Sequence, residues 1–599
     1  MYKLGWILVF TSLLVILCKV SGRRVETQLQ EGQRSNDEYK QAPQTQEFIN
    51  VGSIQRDRKH FPRKNADSLM PVNKKKFNKN CKYVCPYAKQ ADTVIDPENI
   101  TTTTHPTMPT PPPIPTPSSS NSSSEVIHIP PLQVNGIFPS LTVTAKSGPA
   151  RSECGTGAMM PWADKLYVVS YLSVPDAGSG TGLYAIDENF TMTTLANHNS
   201  TYANRLLHRQ TNQIIIGAWI IDMEGKVRVF QQLLQVRVAA TAEHLTHPES
   251  MVYMLGMDGP LWECNVTSLG CTQIFDLVTA LQIPSTKGEQ PHFKAAHTMN
   301  GRLVVASNTF EEQDFTGQQH GGRLAEWKGP GQNWTIIERT AFVEVTGRRN
   351  FGQVIYALGW DYRSVILKVF DPANDFWQTY RLPKASHAWD HLWQTEWPRI
   401  REVETERYLM DMHGLFYELS PLGWAGSTWG IRPISQHLRI VPDFTSFRGF
   451  LVLGGNQVSS IFDNNVVTGQ SQSGLWFGKT DDLWKFGKPQ GWGAVWRDDD
   501  VPDGAVSDPF LMTGFDHKVL HVIKTNASQT FYVDVQVDVT GTAGHRANEF
   551  WVSLTIISLG QGQYQYFVFP SGYSAHWVRL ALHCGSSARC KVTAYFNYT

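Results

Sequence analysis

The sequence predicts an all-β protein, a seven-bladed β-propeller followed by a small C-terminal β-sandwich. Three observations predict this fold class. Short apolar runs with Gly and Asn turns recur through residues 126–501, a second motif led by Gly follows them, and residues 502–599 contain strictly alternating strands. Long amphipathic patterns are missing, and the one helix-like stretch is 271–283. A basic arm and a Thr/Pro/Ser-rich linker precede the propeller.

The repeat of the propeller segment has two motifs. The first is an apolar run such as KLYVVSYL (165–172) or GRLVVASN (301–308). The second begins with Gly and a bulky pair at 182–187, 259–263, 322–327, 414–418 and 474–477, with looser copies at 225–230 and 365–370. This gives about seven units spaced by roughly 34 to 63 residues, close to the period of four-stranded blades. An array of β-sandwiches is the alternative.

The C-terminal segment, 502–599, has its clearest strand at 530–539. Every second residue there is apolar, which predicts a half-buried strand with these side chains on one face: Phe531, Val533, Val535, Val537 and Val539. Several further β-like runs follow without a helix, so we expect a small sandwich that serves as a ligand-binding or packing module.

Residues 1–22 predict a secretory signal, with Lys3 before an apolar run over 6–18 and small residues at 20–22. A membrane anchor is the alternative, but the run is too short to span a bilayer comfortably. We therefore expect a secreted, extracellular protein without a membrane anchor.

Secretion predicts disulfides and N-glycans. The cysteines closest in sequence form the candidate disulfides Cys264–Cys271, Cys584–Cys590 and Cys81–Cys85. Eight N-x-S/T triplets are the candidate glycosylation sites: Asn99, Asn121, Asn189, Asn199, Asn265, Asn333, Asn526 and Asn597.

Residues 23–98 predict a disordered basic arm. Its first part, 23–90, carries 15 Lys/Arg and 7 Asp/Glu, so residues 91–599 are mildly acidic. Its candidate polyanion-binding residues are Lys74, Lys75, Lys76, Lys79 and Lys82. A solvated tail or a cleaved pro-segment is the alternative. Residues 99–125 are rich in Thr, Pro and Ser and predict an extended, O-glycosylated linker.

The stretch 384–420 holds the densest set of polar and aromatic side chains. We interpret 384–401 as a long loop and 408–419 as a hairpin. The candidate catalytic residues are His387, His391, Arg399 and Tyr417. The candidate ligand-binding residues are Trp389, Trp393, His292, His297, His413 and Arg401. The alternatives are that the histidines and tryptophans fill blade interfaces and that 399–407 is a strand with ion-paired partners. We predict neither a metal site nor a cofactor.

A binding role and a catalytic role both fit this site. An arginine fork could hold a carboxylate or sulfate. With a His as base and Tyr417 or Tyr408 as acid, it could also support β-elimination of a uronic acid. The preferred hypothesis is a secreted, glycosylated extracellular-matrix or biomineral-associated interaction protein that binds acidic polysaccharide, mineral or matrix protein rather than nucleic acid. The alternative is a carbohydrate-active enzyme, a polysaccharide lyase or glycoside hydrolase.

Overall fold

A computed structural model describes these residues: 144–145, 153–172, 178–179, 181–198, 200–284, 289–311, 320–350, 353–386, 398–420, 423–424, 427–428, 430–438, 440–458, 474–525, 530–542, 551–560, 563–585 and 587–599. They lie in one compact unit, 123–599. The predicted signal, basic arm and linker, with Cys81, Cys85, Asn99, Asn121 and the arm lysines, lie outside the described residues.

Seven antiparallel sheets follow one another along the described part of the chain. Sheets 1 to 3 have these strands: sheet 1, β2 (Glu153–Trp162), β3 (Lys165–Leu172), β5 (Gly182–Ile186) and β6 (Met192–Asn197); sheet 2, β7 (Arg205–His208), β8 (Gln213–Ile216), β9 (Trp219–Ile221) and β10 (Val227–Val229); sheet 3, β11 (Val238–Glu243), β12 (Met251–Gly256), β13 (Pro260–Asn265) and β14 (Cys271–Asp276). In each sheet, strands that are consecutive in this order pair with each other.

Sheets 4 to 7 repeat the pattern, and the last has three strands in the described residues. Their strands are as follows: sheet 4, β16 (Phe293–Met299), β17 (Arg302–Ser307), β19 (Arg323–Trp327) and β20 (Thr335–Glu338); sheet 5, β21 (Ala341–Gly347), β22 (Ile355–Trp360), β23 (Val365–Asp371) and β24 (Phe376–Leu382); sheet 6, β25 (Arg399–Glu404), β26 (Arg407–Met412), β27 (Leu415–Leu419) and β30 (Arg432–Gln436); sheet 7, β31 (Phe444–Phe447), β32 (Phe450–Leu453) and β34 (Trp476–Gly478). A further strand, β33 (Asn456–Val458), pairs with β2.

Short elements join these sheets. In the described part of the chain, the two-stranded ladders are β1 (Thr144–Ala145) with β4 (Gly178–Ser179), β15 (Glu289–Gln290) with β18 (Phe310–Glu311), and β28 (Gly423–Trp424) with β29 (Ser427–Thr428). The helical pieces among the described residues are α1 (Leu277–Ala280) and two 3₁₀ turns, Gln231–Leu233 and Thr480–Lys485. The helix-like stretch 271–283 is thus a strand followed by one helical turn. Within the described ranges, no helix is long and apolar enough to cross a membrane.

The first strands of the seven sheets form a closed ring. Each of β2, β7, β11, β16, β21, β25 and β31 contacts the next, and β31 contacts β2 again. Apolar side chains fill the spaces between neighbouring sheets. A closed ring of radial antiparallel meanders is a β-propeller, so the all-β class and the propeller architecture are confirmed. The exact blade count and the domain boundaries stay predictions.

The two sequence motifs correspond to the second and third strands of the sheets. KLYVVSYL is β3, the second strand of sheet 1, and the motif at 182–187 contains β5, its third strand. The looser copy at 225–230 instead falls on β10, an outermost strand. Second and third strands are buried on both faces between adjacent sheets, and this is why their apolar runs are readable in the sequence.

The C-terminal strands form two sheets around one apolar core. One sheet contains β35 (Gly491–Pro502), β42 (Arg589–Tyr598), β37 (Lys518–Lys524) and β40 (Tyr564–Val568), in that order. The other contains β36 (Phe510–Leu511), β41 (Trp577–His583), β38 (Phe531–Asp538) and β39 (Trp551–Leu559), in that order.

The predicted alternation in β38 holds, because Phe531, Val533, Val535 and Val537 are buried in the core shared by the two sheets. Val539 is an exception, since the strand ends at Asp538 and Val539 is exposed.

The C-terminal sheets are joined to the propeller. The strand β36 pairs in parallel with β24 through Phe510 and Arg381, so sheet 5 continues into a C-terminal sheet. The Arg381 guanidinium pairs with Asp508 at 2.9 Å and Asp361 at 3.1 Å across this junction. The predicted boundary at 501–502 lies at the end of β35, which pairs with β42.

The disulfides Cys264–Cys271 and Cys584–Cys590 are present as predicted. The first joins directly opposed residues of β13 and β14. Among the candidate glycosylation sites, Asn189, Asn333 and Asn597 are exposed and Asn265 is half-buried, whereas Asn199 and Asn526 lie outside the described residues.

Close approach of sheets 1 and 2 requires a glycine at position 157. A Cβ atom there would overlap the backbone carbonyl of Tyr202, a residue that is held by a β-bridge to Val238. We predict that Gly157→Ala lowers the free energy of unfolding by roughly 1–3 kcal/mol, the usual range for overpacking. Denaturant titration measures this loss. Gly560→Ala is the control, because a Cβ atom there meets nothing within 4 Å. Equal stabilities of the two variants would contradict the prediction.

Candidate functional site

The centre of the propeller ring encloses a polar channel. An inner cavity of about 240 Å³ is lined by the first strands of sheets 2 to 6. An adjoining cavity of about 710 Å³, here called the mouth, lies at the C-terminal ends of the first strands of all seven sheets. The two cavities share lining residues, among them Arg205, His297, Glu402 and Tyr408. These two cavities together form the channel.

The side chains at its centre form a buried ion-pair network. Arg399 and Arg401 lie two residues apart on β25 and therefore share a face. The Arg401 guanidinium contacts Asp443 Oδ1 through Nε at 2.9 Å and Glu344 Oε2 through Nη1 at 2.7 Å. Asp443 Oδ2 lies 3.7 Å from Arg205 Nη1. Sheets 2, 5 and 6 and the residue before sheet 7 thus meet through charged groups.

Further contacts hold the network in place. The Met159 backbone N–H donates to Asp443 Oδ2 at 2.8 Å, across a sequence separation of 284 residues. Arg399 donates through Nε to the Pro442 carbonyl at 3.2 Å, and its Nη1 lies 3.9 Å from Glu344 Oε2. The interpretation of 399–407 as a strand with ion-paired partners therefore agrees with the structure over 399–404, whereas 405–406 form a turn and Arg407 begins β26.

The network keeps its members charged despite their burial. Burial alone would raise the pKa of Asp443, but the guanidinium groups of Arg205, Arg401 and Arg399 outweigh it and lower that pKa below its usual value. The two carboxylates in turn outweigh burial at Arg401 and raise its pKa. At Arg205, burial dominates and lowers the pKa to about 10, so this side chain is still protonated at neutral pH.

Basic groups outnumber acidic groups along the channel. Seven basic side chains line the two cavities: Arg205, Arg209, Lys294, Arg348, Arg349, Arg399 and Arg401. Four carboxylates neutralise part of this charge: Glu243, Glu344 and Glu402 on the walls, with Asp443 behind them. At the mouth, Arg348 pairs with Glu402 at 2.9 Å and Arg349 pairs with Glu243. A net charge of about +3 in an enclosed space attracts anions.

One histidine and one tyrosine accompany the charged groups. His297 is half-buried deep in the channel, and loss of solvation, with a smaller contribution from Arg349, lowers its pKa to about 4. Burial, with a smaller contribution from Glu402, raises the pKa of Tyr408 to about 12. At neutral pH, His297 is therefore an uncharged acceptor and Tyr408 an uncharged donor.

The structure brings together only part of the predicted site. Arg399, Arg401 and His297 line the channel. His292 lines neither cavity, and burial lowers its pKa well below the usual value. His413 is fully buried at the predicted hairpin turn, with its ring 5.0 Å from that of Trp360.

The remaining candidates of the predicted site are Tyr417 and four residues of the stretch 384–401. Tyr417 requires a correction, because its hydroxyl donates to the Pro383 carbonyl at 2.9 Å in the apolar core, where it cannot serve the channel as an acid. The candidates His387, His391, Trp389 and Trp393 lie outside the described residues.

Sequence reasoning missed Arg205, Lys294, Glu344 and Asp443. Each comes from a different part of the chain, and nothing in the sequence links them. The available signal was a charged residue within an otherwise apolar or small-residue strand, as in FKAAHTM (293–299) or AFVEVTG (341–347). In the described ranges, no group of three or more His, Cys, Asp or Glu side chains could hold a metal ion.

Comparisons with known proteins add no family. No family model and no curated protein matches this chain. Among solved structures, the WD40 repeats of RRP9 are similar at 9% identity and a TM-score of 0.35, over 58% of this chain and 98% of that one. The Cps50 (Swd1) β-propeller domain of Myceliophteria thermophila shows 12% identity and a TM-score of 0.32, over 51% of this chain and 98% of that one. Because this structural similarity is low, the fold is assigned from the pairing of the sheets alone.

We predict that Asp443→Asn destabilises the protein by about 3–5 kcal/mol, because it leaves Arg205 and Arg401 buried with too little negative charge. Denaturant unfolding of the variant measures the loss. Asp375→Asn is the matched control, since Asp375 pairs with Arg302 and Lys328 but is 56% exposed, and exposed pairs contribute about 0–1 kcal/mol. A loss at Asp443 no larger than that at Asp375 would refute the role of the network.

The pKa of His297 predicts a pH dependence of stability. An unfolded histidine titrates near 6.5 and folded His297 near 4, so between these values the unfolded chain binds more protons and stability falls as the pH falls. His297→Gln should remove up to one proton from the uptake of protons on unfolding between pH 4 and 6.5, so stability should depend less steeply on pH. Summed across this window, the effect is about 3 kcal/mol. Below pH 4, the two proteins should have the same slope. Unfolding titrations at several pH values test this. Parallel curves for the two proteins would show that His297 does not titrate as inferred.

Proposed function

We propose that this protein is a secreted, glycosylated interaction protein of the extracellular matrix or of a biomineral. In this proposal, the propeller channel binds an anionic group of a polyanionic or carbohydrate matrix component. The basic arm of residues 23–98 adds a second, less specific attraction to the same class of partner. The observation that carries the proposal is the excess of basic side chains in the channel.

The placement of these charges supports binding. Residues 91–599 carry a net charge of about −10, so the basic channel is a local exception within an acidic body. Buried partners fix the Arg401 guanidinium in one orientation, which lowers the entropy cost of gripping a carboxylate or sulfate. Arg209 is exposed at the mouth, where an arriving anion first meets the protein.

The protonation properties of the channel favour binding over catalysis. A general base works best with a pKa near the working pH, and the pKa of His297, at about 4, makes it a weak base. The pKa of Tyr408, at about 12, keeps its proton tightly held. Both side chains are therefore better suited to hydrogen-bonding a neutral part of a ligand, one as acceptor and the other as donor.

A carbohydrate-active enzyme, a lyase or hydrolase, is the second candidate. One observation favours it, because Arg401, His297 and Tyr408 line the same cavity. These are the residue types that β-elimination of a uronic acid needs to neutralise the carboxylate, remove the C5 proton and protonate the leaving oxygen. For catalysis, a bound sugar would have to move both pKa values toward neutrality, against the effect of burial.

We predict that Arg209→Glu weakens binding of a sulfated or uronic acid oligosaccharide to the full-length protein by about three- to tenfold at low salt. Titration calorimetry with a defined heparin oligosaccharide measures the affinity. Arg339→Glu is the matched control, because Arg339 is exposed between β20 and β21, at the opposite end of the ring. Equal losses in the two variants would place binding elsewhere on the protein.

Product analysis of the same protein distinguishes the binding proposal from the carbohydrate-active enzyme. Under the binding proposal, prolonged incubation with acidic polysaccharides yields no unsaturated or reducing ends. Products that form with the wild-type protein and disappear with Tyr408→Phe would instead establish the enzyme and overturn the binding proposal.

A further inference from the structure

The outer face of the sheet β35-β42-β37-β40 exposes several large apolar side chains next to one another. Its most exposed members are Tyr566 at 60%, Val568 at 55%, Tyr564 at 48% and Ile523 at 41%. The opposite face of the same strands is fully used, since Leu520, Val522 and Phe596 are buried in the core. An exposed apolar face of this kind usually has an occupant.

The strand register arranges this face in three rows. Val568, Val519 and Asn597 are directly paired across β40, β37 and β42. The next row on the same face is Tyr566, His521 and Tyr595, followed by Tyr564, Ile523 and Thr593. We call these nine residues the aromatic face.

The rings of the aromatic face lie nearly parallel. The rings of His521 and Tyr564 are stacked, with centroids 6.0 Å apart and planes 14° apart, and His521 Nδ1 lies 2.9 Å from the Tyr564 hydroxyl. The rings of Tyr564 and Tyr566 are 6.1 Å apart at 24°. Burial lowers the pKa of His521, which favours its neutral form, and the other eight members are uncharged. Flat, neutral aromatic surface is suited to the apolar C–H faces of sugar rings.

Asn597 stands on this face and begins the triplet Asn597-Tyr598-Thr599. Its side chain is exposed, and its Nδ2 lies 3.3 Å from Nε2 of His521. Tyr598 points into the core, whereas Asn597 points outward, as alternation along β42 requires. An N-linked sugar at Asn597 would start inside the aromatic face.

We propose that Asn597 carries an N-linked glycan whose first sugar residues lie across the aromatic face and cover it. Asn597 Nδ2 would displace the diphosphate from the anomeric carbon of a lipid-diphosphate-linked N-acetylglucosamine oligosaccharide. A C–N bond forms, a C–O bond breaks and the amide loses one proton. This inference rests on the secretion contained in the proposed function.

The width of the face fits this occupant. The strands β42 and β40 are two strand spacings apart, about 9.6 Å, so two linked sugar rings that begin at Asn597 reach Tyr566 and Val568. A glycan held in this way also shields β40, which is an edge strand with exposed apolar side chains.

The test compares sequon variants of the full chain secreted from cultured eukaryotic cells. Thr599→Ala removes the site at Asn597 without changing the face, and Asn333→Gln removes an exposed site on another part of the surface. Glycopeptide mass spectrometry gives the occupancy of each site, binding of an apolar dye reports exposure of the face, and sedimentation reports self-association. We expect occupancy at Asn597, and dye binding that increases in Thr599→Ala but not in Asn333→Gln.

A fourth protein, Tyr566→Ser, keeps the sequon at Asn597 and removes one ring from the aromatic face. Stacking predicts that native enzymatic removal of the Asn597 glycan is roughly 2- to 10-fold slower in the wild type than in this variant. Equal rates would overturn the contact between glycan and face.

The remaining outcomes separate the inference from the proposed function. Glycans on Asn333 but not on Asn597 would overturn the inference and leave secretion intact. The lack of glycans at every site would contradict the proposed function as well. Self-association of the wild-type protein through the aromatic face would show that a second copy of the chain, and not the glycan, covers this face.

Discussion

The charge balance around Asp443 is the constraint on which the centre of this protein depends. Asp443 is fully buried and compensates arginines from sheets 2 and 6 while it accepts a hydrogen bond from sheet 1. Glu344 of sheet 5 has the same relation to Arg401. A buried charge without its partner is costly, so the sheets are held in one arrangement that satisfies the network. Apolar packing between sheets supplies the bulk of the stability, and the network gives the ring its polar centre.

This constraint also limits what the channel can do. Arginines already bound by carboxylates cannot move far toward a ligand, but together with the other basic groups of the channel they produce a net positive field. Under the proposed function, such a site would recognise an anion through orientation that exists before binding. The pKa values of His297 and Tyr408 lie far from neutrality in opposite directions, so proton transfer would require the ligand itself to change the channel.

The C-terminal sheets provide a different kind of surface on the same body. Pairing of β36 with β24 makes one sheet continuous with the propeller, which fixes the orientation of this part relative to sheet 5. The aromatic face lies on the other C-terminal sheet and is neutral and flat, whereas the channel is enclosed and basic. The protein therefore carries two surfaces that could bind different parts of a glycan. The channel suits acidic groups, and the aromatic face suits the apolar faces of sugar rings.

The sequence alone determined the all-β class, the propeller repeat and two disulfides, because these depend on local alternation, burial of central strands and short separations in the chain. It also identified Arg399 and Arg401, which lie in the polar and aromatic stretch 384–420, and His297, which lies in a separate segment. Tertiary structure decided the rest. Asp443 and Met159 are 284 residues apart, and their contact exists only because the ring closes. Tyr417 and His413 belong to the core for the same reason, since alternation gives the face of a strand but not which neighbour covers it.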